Sequence, residues 1–219
     1  MMTLRQWQTA YKEPRSLIVS ASPRDGSDAW QEFPIGMYYL YASQPDKMRI
    51  QFGPHSETVM CSIRTSPGND RRTQIRLGVL NTLLGNSIYN YCLKGEEYFT
   101  KLPNYKFVVS PEGNGIDTHR TYEALIAGCI PIVQRNPLVE EKYRGCPVLF
   151  TDDYSDITEE YLQARYAEMI DATYDFSRLF LGYYSEGQIR QMKENCDYWV
   201  EKFTGGRWFL PSRKRAFQF

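Results

Sequence analysis

Residues 110–133 read SPEGNGIDTHRTYEALIAGCIPIV, and the chemistry they offer is that of holding an anion. His119 and Arg120 fall where a helix would begin, at a place whose exposed backbone N–H groups already carry partial positive charge. A cation in that turn opposes the helix dipole by about 0.3–1 kcal/mol, so something negative should compensate it. A second loop has the same character: in IRTSPGNDRR a strand ends near Arg64 and a helix opens with Arg71 and Arg72. A phosphate lying between the two helix starts would meet amides and guanidinium groups together. The plainer alternative is that each arginine pairs with a nearby carboxylate or points to water, and Arg120 and Glu123 have the i, i+3 spacing for such a pair. Two cationic helix starts at one sheet edge favour a diphosphate.

Around the helical circle His119, Arg120 and Glu123 share one arc, with Tyr122, Leu125 and Ile126 on the next. The apolar arc suits a sheet face, leaving Glu123 to accept hydrogen bonds from ligand hydroxyls and Arg120 to meet phosphate. Gly113 and Gly115 permit positive φ and close approach of backbone to a ligand, and Asn114 between them tolerates the left-handed region. GNGIDT lacks the third glycine of a dinucleotide fingerprint, and no Walker A sequence is present, so neither a nicotinamide nor a flavin cofactor is expected.

The elements that must position these groups show as alternating apolar runs and helical periodicity from residue 56 onward. SETVMCSI predicts a strand, NDRRTQIRLGVLNTLLG a helix closed by Gly85, SIYNYCL a second strand and EEYFTKL a short helix. KFVVS is the next strand, DTHRTYEALIAG a helix stopped by Gly128, and CIPIV a strand with Pro131 near its start. NPLVEEKY follows with Asn136 as N-cap and Pro137 at the first helical position, then the strand CPVLF. Asp156 and Glu159 suit a capping box for a helix to about residue 172, and a last amphipathic helix spans about 186–203. The alternation implies an α/β fold: a parallel sheet with helices on both faces, whose ligand edge is where strands hand over to helix starts. Residues 1–55 hold one clear strand, SLIVSAS, then the loop PRDGSD, too little for a second full α/β domain.

Composition narrows the partners. Lys plus Arg equals Asp plus Glu, 26 each, so no global field draws in nucleic acid or an anionic membrane and any anion site is local. Cys61, Cys92, Cys129, Cys146 and Cys196 form no CxxC pair, which argues against a zinc site or a secreted disulfide framework and for a reducing cytoplasm. There is no leader-like apolar region and no run long enough to span a bilayer, as expected of a soluble protein. The 17 tyrosines suit stacking on sugars or bases as well as ordinary packing.

SPEGNGIDTHRTYEALIAGCIPIV resembles the core motif of the exostosin-like glycosyltransferases, whose usual form is close to SPxGNGIDTHRxWEALxxGxIPVV. The resemblance extends over about residues 56–205, with 206–219 as a tail. It implies a GT-B type enzyme whose C-terminal Rossmann-like domain binds a nucleotide-diphosphate sugar, a UDP-sugar for preference. It also implies metal-independent, inverting transfer of a hexosyl or pentosyl group to a glycan hydroxyl, with no cofactor. By motif match Glu112, Gly113, Asn114, Gly115, His119, Arg120 and Glu123 would contact the donor, Arg120 near the diphosphate and Glu123 near ribose or sugar hydroxyls; Arg64, Arg71 and Arg72 join them on the charge argument. Tyr122 stands where the family has tryptophan or phenylalanine, and Glu112 where many members have proline. The N-terminal acceptor half is reduced to about 55 residues, so a partner protein or oligomer is a possible source of the acceptor side.

Transfer needs stabilisation of the departing nucleotide diphosphate and deprotonation of an acceptor hydroxyl. The candidates for the base are Asp25 and Asp28 in PRDGSD, Asp25 first, and His55 in FGPHSE. Two rivals stand beside this reading. One is a metal-dependent GT-A transferase using Asp152 and Asp153 of TDDYSD, although these aspartates also suit the end of a strand and the start of a turn. The other is a non-catalytic nucleotide-sugar or glycan-binding module.

Overall fold

The computed structural model describes residues 55–190, apart from 69, 114, 176, 180–182 and 189, together with two short strands nearer the N-terminus. Those strands, β1 (Ile18–Ser20) and β2 (Trp30–Glu32), pair in parallel, Val19 beside Gln31. The main body contains β3 (Glu57–Met60), α1 (Arg71–Gly85), α2 (Gly95–Lys101), β4 (Tyr105–Val109), α3 (His119–Ile126), β5 (Ile130–Gln134), α4 (Pro137–Lys142), β6 (Leu149–Thr151) and α5 (Glu159–Ile170). Single 3-10 turns fall at Leu102–Asn104, Tyr154–Asp156 and Ser177–Leu179.

The sheet is wholly parallel and its order is β3-β4-β5-β6, with Val59 beside Phe107, Val108 beside Pro131 and Ile132 beside Leu149. Its strands are buried on both sides, because alternate residues feed different clusters. Cys61, Ile63, Phe107, Val109, Ile130 and Ile132 pack with Val79 and Leu83 of α1 and Leu162 and Met169 of α5. Met60, Val108 and Cys129 face the opposite way, onto Tyr98 and Phe99 of α2 and Ala124 of α3. Tyr122 and Leu125 of α3 join Val133, Val139 and Tyr143 in a third cluster. The expected α/β architecture with helices on both faces is therefore what forms.

One consequence of this packing decides where a ligand can sit. The helix after β3 lies on one face and the helix after β4 lies on the other, so the chain diverges from two neighbouring strand ends. Such a divergence opens a crevice at the carboxyl edge of a parallel sheet.

Two expectations need correction. SIYNYCL is not a strand. The Asn90 side chain takes over the ladder, accepting from the Ile63 N–H and donating to its carbonyl, both at 2.9 Å, while the Tyr91 N–H donates to Cys61 O. Ser87 (φ 62°) and Cys92 (φ 48°) bend the backbone out of the extended region on either side. α1 ends at Gly85 as read, and the left-handed residue that turns the chain after it is Ser87. α5 is opened by Thr158, whose hydroxyl accepts from the Tyr161 N–H, and not by an Asp156–Glu159 box, because Asp156 sits inside a 3-10 turn. The Gly128 stop (φ 82°) and the Asn136–Pro137 start, with Asn136 accepting from the Leu138 N–H, form as read. The helix expected over 186–203 is described only at 186–188 and 190, where it is helical, and the 206–219 tail lies outside the described residues. No helix among the described residues is long and apolar enough to cross a membrane.

Candidate anion site

A cavity of about 420 Å³ occupies the crevice between the β3 and β4 ends, within the size range of small-molecule sites. The β3–α1 side supplies Arg64, Arg72 and Arg76; the β4–α3 side supplies Gly113, Asp117, Thr118, His119, Arg120 and Glu123; the approach to α2 supplies Leu93, Gly95, Tyr98 and Phe99. Arg64, Arg72, Gly113, His119, Arg120 and Glu123, singled out from sequence, thus share one wall-to-wall space. Asn114, Asp25 and Asp28 lie outside the described residues.

The two helix starts differ. At α1 the carboxylate of Asp70 accepts from the Thr73 N–H at 2.7 Å, and this bond, more than any other influence, holds the Asp70 carboxyl below its usual range. The first turn of α1 therefore already has its negative group. At α3 no side chain of the described residues is seen to cap the first turn from the Thr118 position, and no acid stands in it. Thr118, which occupies the N-cap, is diverted: its hydroxyl lies 3.0 Å from Ser110 Oγ, which in turn is 2.9 Å from Thr121 Oγ1. The loop before α3 is fastened from below by Asp117, which is buried. Its carboxylate accepts from Tyr143 Oη (2.6 Å), the Thr118 N–H (2.9 Å) and Lys142 Nζ (3.0 Å). Burial, then the Asp117 charge, push the Tyr143 and Tyr122 hydroxyls well above their ordinary range, so both remain donors.

Arg120 stands on this uncapped turn without an ion pair among the described residues; the Arg120–Glu123 bridge that the spacing permits is absent from them. Its Nε is buried with no hydrogen-bond partner among the described residues, and its guanidinium carbon sits 5.7 Å from the centre of the Tyr98 ring. Arg64 and Arg76 likewise make no ion pair among the described residues, and Arg72 donates to Ser66 Oγ at 2.7 Å. The concentration of positive charge is felt within the cluster. The Arg76 guanidinium is pushed down to about 10, by burial first and then by the Arg120 and Arg72 charges, against a weaker opposing pull from Asp70. Such a group is costly without an anion and favourable with one.

Arg71 and Glu112 are elsewhere. They pair with each other at 2.6 Å and line a smaller cavity of about 190 Å³ beside Ile75, Val79, Pro111, Gln134 and Tyr154. Consecutive helix residues project about 100° apart, so Arg71 and Arg72 cannot both face the crevice, and the spacing alone does not say which one does. Gly113 does not adopt positive φ; its missing side chain matters because a Cβ would lie 3.3 Å from Arg76 Nη2. His55 is not brought to the site. It precedes β3, at the opposite end of the strands, with Nδ1 3.0 Å from Tyr166 Oη, and burial lowers its imidazole below the ordinary value. Asp152 pairs with Arg135 at 3.1 Å, and Asp153 caps the 3-10 turn by accepting from the Ser155 N–H, so both serve the end of β6. No cluster of three or more His, Cys, Asp or Glu side chains suited to a metal ion occurs among the described residues. Arg76 was missed in the sequence, although its four-residue spacing from Arg72 places both on one helical face.

No protein-family model matches this chain, and no curated protein matches it at a significant level.

Proposed function

We propose that the crevice binds the diphosphate of a nucleotide sugar, and that the chain is the donor-binding part of a GT-B type glycosyltransferase of the exostosin-like kind. The observation that carries the reading is a cavity lined by four arginines at the start of an uncapped helix, with no ion pair to Arg64, Arg76 or Arg120 among the described residues. In this reading Arg120 and the α3 amides meet the diphosphate, Arg64, Arg72 and Arg76 close on it from the other loop, and Glu123 accepts from ribose or sugar hydroxyls. As the bond from the anomeric carbon to the diphosphate oxygen breaks, negative charge accumulates on the leaving group. Preoriented guanidinium groups stabilise that charge, the role a divalent ion plays in other transferases. For the base that takes the acceptor proton the candidates of this reading are Asp25 and Asp28, or a group supplied by a partner protein.

Calorimetric titration with UDP, GDP and uridine tests the site, with UDP-sugars favoured as donors. Tight binding of a nucleoside diphosphate, weak binding of the nucleoside and a steep loss of affinity with added salt are expected. Equal affinity for uridine and UDP would remove the diphosphate from the site. Transfer or donor hydrolysis that persists in a chelator is expected of the metal-independent enzyme, and binding without turnover under any condition would leave only a binding module.

A further inference from the structure

Arg76 has a distinct place among the four arginines. From its place one turn into α1 it donates Nη1 to the carbonyl of Arg64 at 2.9 Å and Nε to the carbonyl of Glu112 at 3.1 Å. The first carbonyl belongs to the loop after β3, the second to the loop after β4. One guanidinium therefore ties together the two walls of the cavity it lines. Its remaining nitrogen, Nη2, lies against Gly113, where only a hydrogen fits without displacement. The Glu112 residue is held from the other side as well, since its carboxylate pairs with Arg71 at 2.6 Å outside the cavity. The segment 111–113 is thus gripped through its carbonyl from within and its side chain from without.

We propose that Arg76 is a positioning residue that fixes the separation of the two anion-binding loops and thereby makes the site selective for a diphosphate over a monophosphate. This rests on the donor reading above. A diphosphate must be met by Arg120 and the α3 start on one wall and by Arg64 and Arg72 on the other, so its affinity depends on the gap; a monophosphate is satisfied by one wall. The planar, forked donor set is required, because a lysine ammonium carries the same charge but cannot reach two carbonyls in fixed directions. The crowding of Arg76 by Arg72 and Arg120 adds that the bridge is stiffest when an anion lies between the walls.

The test compares Arg76→Lys and Arg76→Met with the wild type for UDP against UMP, with GDP and GMP in parallel, and follows amide hydrogen exchange of both loops in the ligand-free protein. The expected result for Arg76→Lys is a loss of at least about tenfold for the diphosphates, a loss of no more than about twofold for the monophosphates, and faster exchange in both loops together. Gly113→Ala, which crowds Nη2 by one methyl group, should shift the same ratio in the same direction by less, and serves if the arginine variants fold poorly. Unchanged affinities and exchange in Arg76→Lys would overturn the proposal, as would equal losses for mono- and diphosphates. A wild-type protein that binds no nucleotide would overturn the donor reading and the discrimination with it, while the exchange measurement would still decide whether Arg76 bridges the loops.

Discussion

Replacing Arg120 by methionine keeps the aliphatic stem and removes the charge, and the site geometry gives the two consequences opposite signs. On the proposed reading the variant loses a charge-assisted hydrogen bond to a nucleoside diphosphate, about 1.5–3 kcal/mol or roughly 12- to 150-fold in Kd. Toward the ligand-free fold it should be a gain. The charge on the first turn of uncapped α3 opposes the dipole by about 0.3–1 kcal/mol, and its buried, unpartnered Nε costs about 1–3 kcal/mol. Against these stands the loss of the contact with the Tyr98 ring, worth about 0.5–1 kcal/mol. The balance is a stabilisation of about 2 kcal/mol at the middle of these ranges, or a rise in Tm of roughly 4–8 °C for a chain of this size. Thermal melts of the ligand-free proteins and calorimetric titration with UDP read the two effects separately. A variant that melts lower and binds UDP as well as the wild type would show Arg120 to be a structural cation and refute the reasoning.

Asp117→Ala removes the carboxylate from its buried pair with Lys142 and should cost about 3–5 kcal/mol in urea unfolding, far more than loss of any exposed ion pair such as Lys101–Glu97. His55 is held below its ordinary value by burial, so as pH falls the unfolded chain takes up the proton first. Stability should therefore decline as pH drops from about 6.5 toward the lower native value and then level off, and His55→Gln should flatten that part of a Tm-against-pH curve. Burial pushes the thiols of Cys61, Cys129 and Cys146 up to about 12, whereas Cys92 is exposed. Peptide mapping after iodoacetamide treatment at about pH 8 should find Cys92 alkylated and those three untouched until the protein is denatured.

Much of the fold was legible because its punctuation is local. Gly128 and the Asn136–Pro137 pair act through their own backbone geometry, and runs such as KFVVS and CIPIV have few alternatives to a buried parallel strand. SIYNYCL misled because its apolar pattern suits a strand while a side-chain amide, that of Asn90, makes the bonds a ladder would make. The charge argument found the crevice through Arg64, Arg72 and Arg120, but could not tell the inward Arg72 from the outward Arg71, since one residue of helix rotation separates them. Arg76 was hidden for a different reason. Its meaning lies in two carbonyls, at Arg64 and Glu112, 12 and 36 positions away, and backbone carbonyls have no signature in a sequence.

The far end of α1 carries a quieter feature, Asn86. Its amide Nδ2 donates to the carbonyls of Ser155 at 2.8 Å and Ile157 at 2.9 Å, pinning the helix to the turn that precedes α5. Arg72 lies at the other end, and Arg76 one turn nearer, on a rod that, at 15 residues, is about 22 Å long. A rod hinged at its tail moves most at its head: a tilt of ~5° about Asn86 carries the first turn by ~2 Å, a displacement comparable to the difference between an ion contact and a solvent-separated one. Tightness at a single asparagine thus adds to the Arg76 tie and the buried Val79 and Leu83 in keeping the guanidinium-bearing part of the lever still.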